Sequence, residues 1–416
     1  MRQSRTVERA SVTEYFRLIF KVYLAFISFV TVCYGLMNWR IRSDWAIGEW
    51  LINYQAGFIR RGLTGEVALL VGRALHVSPM TIVVLMQLLL YGLMLYAVWR
   101  LLEGTDWELW VMALVLSPAT LAFQVLDPPA GFRKEEIHLA GLGMLLVLLM
   151  HPRVRNSHLV LYLSLVCTAA VLSHEPLICY TPYYFGAVVI GRQSIRRGLS
   201  ICVLPLLVCA GAAILAVLRP GNFKMAQEIC RSIGEKLTDS AVGVCGGAIY
   251  YLGNNQGFAR QELIGFIHYF HYYRVYSVAT LLSSIPIVMA IIALSRDRRL
   301  RFDLKILAGT IGVAGAGSLV LFLYSTDWGR WIYIHVFSVF LILLFIDYRR
   351  RAMPRVEKAV LPTRLSGRRV FLGGLFLAVY ALCWDLPHVG IYAGRFGYFD
   401  LVLYLHQYQS THGLGH

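Results

Sequence analysis

Acidic and basic residues meet in a few short stretches of this sequence, each lodged between long apolar runs. The first stretch holds Asp44 and Glu49 ahead of an arginine pair, Arg60 and Arg61. A second reads Asp127-Pro128-Pro129-Ala130-Gly131-Phe132-Arg133-Lys134-Glu135-Glu136-Ile137-His138. The turn His174-Glu175-Pro176 is a third, and Thr326-Asp327-Trp328-Gly329-Arg330-Trp331 a fourth. A carboxylate such as Asp44 or Glu49 can take the proton of a reacting hydroxyl. Paired guanidinium groups match the oxygens of a phosphate in a two-pronged fork. Proton abstraction beside a bound phosphate is therefore the chemistry these residue types allow. Each stretch also has a plainer account. Arg60 and Arg61 can pair with Asp44, Glu49 or lipid headgroups, and Glu135 and Glu136 suit the positive end of a helix dipole. His174 and Glu175 can satisfy one another, and Asp327 and Arg330 can form a local ion pair. The His174–Glu175 spacing matches no metal-ligand signature.

The elements that must position these residues are membrane spans. The chain has 416 residues, 58% hydrophobic and only 15% charged, well short of the roughly one quarter charged in soluble domains. Apolar stretches of about 17–25 residues recur from end to end, each long enough to cross a hydrocarbon core. They fall near 15–38, 80–102, 107–127, 135–151, 157–173, 177–191, 199–218, 274–295, 304–324, 331–347 and 369–387, giving an all-α integral membrane protein of about eleven transmembrane helices. It is read as one polytopic domain over 1–416. The net charge of +16 sits in short loops between the spans, a pattern of topology and not of a nucleic-acid surface. Alternation places Arg2, Arg5, Arg9, Arg100, Arg153, Arg155, Arg192, Arg196, Arg197, Arg296, Arg298, Arg299, Arg301, Lys305 and the run from Arg349 to Arg369 on one side. That side is cytoplasmic by the positive-inside rule, with the N-terminus on it and the C-terminus outside. The first apolar stretch is too long for a cleaved signal and no small-residue cleavage site follows it.

The outer side then carries the chemistry, in loops 39–79 and 219–273 and in the three turns named above. Trp45, Trp50 and Tyr54 suit a first interfacial helix in loop 39–79, and Val67, Leu70, Val71 and Ala74 a second. Met225, Ile229, Ile233 and Leu237 predict a further interfacial helix in 219–273, with Phe266, Tyr269, Phe270, Tyr272 and Tyr273 as membrane anchors. Trp328 and Trp331 read as belt residues. Of eight cysteines, Cys230 and Cys245 share the long loop and are free to form a disulfide outside the cytoplasm. With no CxxC pair, a zinc site has little support.

This layout resembles the GT-C superfamily of polytopic membrane glycosyltransferases. The resemblance is carried by Asp44 and the helices around it, and by Gly131-Phe132-Arg133-Lys134-Glu135-Glu136 opening the fourth span. It covers the N-terminal half, and departs from the family in lacking a second acidic neighbour of Asp44 and a large soluble outer domain. It implies a polyprenyl-phosphate-linked sugar donor, a glycan or lipid-linked acceptor, and a carboxylate base in the first outer loop: Asp44 by position, with Glu49 its rival. Arg60, Arg61, Arg133, Lys134, Glu135, His174, Glu175, Asp327 and Arg330 would bind substrate, arginine charge stabilising the departing phosphate. No cofactor is required by these residues, a divalent cation being the one candidate. The partners expected are the two substrates and membrane lipids, with no nucleic acid, in a bacterial inner membrane. The alternatives are a polymerase or ligase of lipid-linked surface polysaccharide, of O-antigen or exopolysaccharide type, and a lipid-linked sugar transporter or flippase. A transporter would carry mid-span charges and an internal repeat.

Overall fold

The structure is a computed structural model that describes residues 2–238, 243–253, 256–354 and 367–389, helical with no strand among them. The helices are α1 Arg2–Arg40, α2 Leu63–Leu75, α3 Pro79–Leu102, α4 Leu109–Val115, α5 Phe123–Leu126, α6 Pro128–Gly131, α7 Glu135–Leu149 and α8 Asn156–Ser173. They continue as α9 Thr181–Arg192, α10 Ile195–Val217, α11 Phe223–Ser232, α12 Gln256–Tyr269, α13 Tyr272–Ser295, α14 Arg301–Tyr324, α15 Trp328–Ala352 and α16 Gly367–Leu382. Seven of the described helices are long and apolar enough to cross a membrane, among them α3, α8, α10, α13 and α15. Within the last expected span, 369–387, α16 holds an apolar stretch at Phe371–Leu382 that is shorter than those seven, and the expected outer C-terminus lies outside the described residues.

Burial sorts these helices into hub and rim. The apolar window of α15 is 89% buried against 17% for that of α1, so α15 is the axis on which α3, α7, α9, α13 and α14 pack. One end of the bundle collects arginines on helix termini. Arg349 pairs with Asp303 (3.2 Å), Arg350 with Glu108 (2.8 Å) and Arg351 with Asp347 (3.0 Å). Arg192 donates to the carbonyl of Val154 at 2.6 Å. The start of α8 and the end of α9 thus meet, so the two helices run out and back, with Glu175–Tyr180 as a 3-10 turn at the far end.

The segment 107–127 is not one span. Helix α4 stops at Val115, and residues 116–122 cross the buried interior as turns before α5. Pro118 offers no N–H and biases Ser117 away from the helical region. The freed backbone is served locally: Thr120 Oγ1 donates to the carbonyls of Leu114 (2.6 Å) and Ser117 (3.0 Å). Irregular backbone at membrane depth is tolerated where protein covers it.

The loop at 39–79 differs from the two interfacial helices expected of it. Its second helix forms, as α2, but the first is a buried 3-10 turn at Gly48–Leu51. Trp50 is wholly buried and donates its indole N–H to the carbonyl of Phe132 at 3.0 Å. It is a bolt between loops, not a membrane anchor. Helix α11 likewise buries Ala226, Ile229 and Cys230 against Ile47, Trp50 and Ile52, and the Cys230–Cys245 disulfide closes this clasp. Arg42 pairs with Glu235, and Asn53 with Ser232 at 3.0 Å. At Gly48 a methyl group would meet the carbonyl oxygen of Val244 at 2.2 Å. Gly48→Ala is therefore expected to cost about 1–3 kcal/mol by overpacking, read as a lower melting temperature in detergent. An unchanged melting temperature would mean the clasp does not dock there.

Tyr272 and Trp331 also depart from the anchoring roles expected of them. Tyr272 is buried, its hydroxyl on the carbonyl of Thr326 at 2.9 Å, while Tyr269 and Tyr273 stay largely exposed. Trp331 is buried against His174 with rings stacked at 6.0 Å. Trp328 is ringed by Tyr272, Tyr273, Tyr276 and Phe322.

Candidate functional site

The end of the bundle opposite the arginine-rich termini brings nearly all the candidate residues together. They arrive on five separate pieces of chain, which is why no local motif announces the site. The 3-10 turn supplies Glu49, and the following connection Arg60 and Arg61. The approach to α7 supplies Arg133 and Lys134, and its first turn Glu135 and Glu136. The α8–α9 turn brings His174 and Glu175, and the start of α15 brings Asp327 and Arg330.

Glu49 is fully buried and accepts from Arg133 Nε at 2.5 Å. Its other oxygen lies 3.7 Å from Arg61 Nη1 and 3.6 Å from His174 Nδ1. Burial alone would raise its pKa. The charges of Arg133, then His174, Arg330 and Lys134, outweigh that and hold it well below the usual carboxylate range. Glu175 takes a two-pronged bond from Arg61, at 2.8 and 2.9 Å, and one from Arg60 at 3.3 Å. It too is held low, burial being overcome chiefly by Arg61. His174 sits between carboxylates, its Nε2 3.4 Å from Glu135. Burial and the neighbouring Arg61 still lower its pKa. Arg330, 2% exposed, joins Glu135 to Asp327, the latter at 2.8 Å. Arg61 carries this geometry on a left-handed backbone (φ 66°), a conformation a non-glycine residue holds only when its surroundings fix it.

Two groups stand apart from this pairing. Lys134 is fully buried, and its Nζ donates to the carbonyl of Arg61 at 2.7 Å. No carboxylate among the described residues is within ion-pair distance of it. Burial pushes its pKa down to about 7, with Glu49 and Glu175 opposing and Arg61 and Arg133 reinforcing. Asp44 is half-buried beside Arg133, whose guanidinium lies over the Trp45 ring at 4.8 Å. Its carboxylate accepts the N–H of Trp45 at 2.9 Å, and the clasp residue Gly247 lies against it. Burial raises its pKa, with hydrogen bonds to backbone N–H groups and Arg133 opposing.

By sequence Glu136 is a carboxylate at a helix N-terminus with no site role, and Gln124 lies hidden in an apolar run. Among the described residues no three His, Cys, Asp or Glu side chains gather as metal ligands. Beside Arg60, whose N–H bonds the carbonyl of Arg219 at 2.9 Å, an open groove of about 570 Å³ is lined by Phe58, Leu215, Leu218 and Arg219. Comparison of the chain with family models, with curated proteins and with solved structures returns no match.

Proposed function

We propose that this multi-pass membrane protein transfers a sugar from a polyprenyl-phosphate donor to a glycan or lipid-linked acceptor. The site end faces outward, the periplasm of a bacterial inner membrane, and the arginine-rich end faces the cytoplasm. The observation that carries this reading is Lys134, a buried ammonium without a carboxylate partner, set among Arg60, Arg61 and Arg133. An unbalanced cation at that depth favours an anion, and one phosphodiester supplies one charge. The groove beside Arg60 and Arg219 offers an apolar bed for the donor's chain, with its phosphate turned toward the arginines. Asp44 serves as base on the acceptor hydroxyl, since its carboxylate is half-open and its pKa is raised. Glu49, neutralised by Arg133, orders the cations instead.

The test is a deletion strain whose surface glycans and polyprenyl-linked sugars are profiled, then complemented with wild type or Arg60→Ala at matched membrane levels. Loss of one glycan or accumulation of one lipid-linked sugar, restored by wild type alone, is the expected result. An unchanged profile in the deletion strain would sink sugar transfer. Longer chains in the wild type than in the deletion strain would identify the polymerase or ligase version of the same chemistry. The interruption of the chain between α4 and α5 favours a second reading, a lipid-linked sugar transporter, because broken helices line transport sites. Build-up of the lipid-linked sugar on the cytoplasmic leaflet alone would favour it.

Lys134 also sets a pH dependence. Below about pH 7 it carries its proton and contributes its charge to phosphodiester binding; above that it is neutral and the contribution is lost. Affinity for a polyprenyl phosphodiester, which stays singly charged throughout, is therefore expected to fall as pH rises through about 7. Lys134→Arg should flatten the profile, because arginine does not titrate there. Identical profiles for both proteins would remove Lys134 from the phosphate site.

A further inference from the structure

Glu136, two residues along from Lys134, stands outside the ion-pair network. Its carboxylate is 3% exposed and has no ion-pair partner among the described residues, whereas Glu49, Glu135 and Glu175 are each met by a guanidinium. Beside it lie the Glu135 carboxylate, itself met by Arg330, and neutral phenols. The hydroxyls of Tyr91 and Tyr333 are its neighbours. The Tyr91 hydroxyl lies within hydrogen-bonding reach of both Glu136 and the carbonyl of Gly131, and Tyr333 Oη, also buried, has no hydrogen-bond partner among the described residues. Tyr333 stacks on Phe123 with centroids 3.9 Å apart, and Gln124 follows Phe123 in α5. Gln124 is fully buried, and neither polar atom of its amide has a hydrogen-bond partner among the described residues. Gly131 admits the main chain at this point: a methyl on it would lie 2.6 Å from Gln124 Cα.

We infer that Glu136, Gln124, Tyr91 and Tyr333 form a binding site for a monovalent metal cation inside the bundle, beneath the charged cluster. A carboxylate at this depth must be neutralised, and unpartnered amide and phenol oxygens each add a cost of their own. A proton on Glu136 would cancel its charge but leave Gln124 Oε1 and Tyr333 Oη unmet. A metal cation draws all of these lone pairs inward at once. Oxygen-only ligands select a hard ion, and a single carboxylate balances one positive charge and not two. Partly unwound chain, here the α5–α6 connection, is where membrane proteins commonly hold such ions. The inference is independent of sugar transfer.

The test uses the full-length protein in detergent at fixed ionic strength. Thermal unfolding is compared in sodium, potassium and choline chloride. Sodium or potassium is expected to raise the melting temperature by about 3 °C or more over choline. Glu136→Gln and Gln124→Leu should erase that difference, with Glu136→Gln melting in choline no lower than wild type. Direct binding of radioactive sodium or rubidium to wild type, saturating near one ion per chain, is read alongside and needs no variant. Equal melting in all three salts together with no saturable tracer binding would overturn the site. So would a salt difference that persists in a folded Glu136→Gln protein. A wild type that responds to pH and to no metal cation would assign Glu136 a proton instead, and would equally overturn it.

Discussion

Asp44→Asn is expected to lower sugar transfer about 10²–10⁴-fold, the contribution of a positioned general base, with folding intact. Asparagine keeps the oxygen that accepts the Trp45 N–H at 2.9 Å and the shape that meets Gly247, so the clasp has no reason to move. The carboxylate lacks the guanidinium partner that an apolar or amide substitution would strand elsewhere in the site. Glu49→Gln is the instructive contrast, because it removes the charge that holds Arg133 at 2.5 Å and should damage stability along with activity. The pH–rate profile separates the two carboxylates further. Burial raises the pKa of Asp44, so activity should fall on acidification at a pH above the ordinary aspartate range. The measurement is transfer from a labelled polyprenyl-phosphate sugar in nanodiscs, at matched monodisperse protein. Full activity in Asp44→Asn would remove Asp44 as the base.

Arg330→Ala is expected to be the most destabilising single change at this end of the bundle, by about 3–5 kcal/mol. The side chain is 2% exposed and joins Glu135 on α7 to Asp327 before α15, while lying over the Trp331 ring at 5.4 Å. Alanine leaves Glu135 with His174 alone, at 3.4 Å, and a buried carboxylate without its counter-ion. Lysine keeps the charge but not the fork that spans both acids, so Arg330→Lys should recover only part of the loss. The readouts are the monodisperse fraction on size exclusion and the melting temperature. Pairing Arg330→Met with Glu135→Gln should recover stability, since removing both charges is far less costly than removing one. An Arg330→Ala protein that melts with the wild type would refute the buried pairing.

Much of this arrangement was legible in the sequence, because ionisable residues are costly at membrane level and so stand out against apolar runs. Glu49, Arg60, Arg61, Arg133, Lys134, Glu135, His174, Glu175, Asp327 and Arg330 do converge on one end of the bundle. What pairs with what was not legible. Local spacing suggested Arg60 and Arg61 as partners of nearby Asp44 or Glu49, yet their main partner is Glu175, on another pair of helices. Asp327 and Arg330, three residues apart, paired as spacing alone suggests, and Arg61 does reach Glu49 as a second partner at 3.7 Å. The broken segment at 107–127 was hidden by its hydropathy, which measures length of apolar chain and is blind to what Ser117-Pro118 does to backbone geometry. Tryptophans misled in the same way: Trp50 and Trp331 look like interface residues until their burial is seen.

The clasp of α11 and the Cys230–Cys245 bond over the first outer loop imposes an order on biogenesis. Synthesis runs from the N-terminus, so Asp44, Glu49, Arg60 and Arg61 are made early. Their cover, and the carbonyl of Phe132 on which Trp50 fastens, exist only later. Until Val244 and Cys245 emerge and the thiols are oxidised, the face made by Ile47, Trp50 and Ile52 stands open as a sticky surface on a nascent chain. A chain stalled or truncated before that point would leave this face uncovered, so the first loop gains its packing partners only once the later segment has been made.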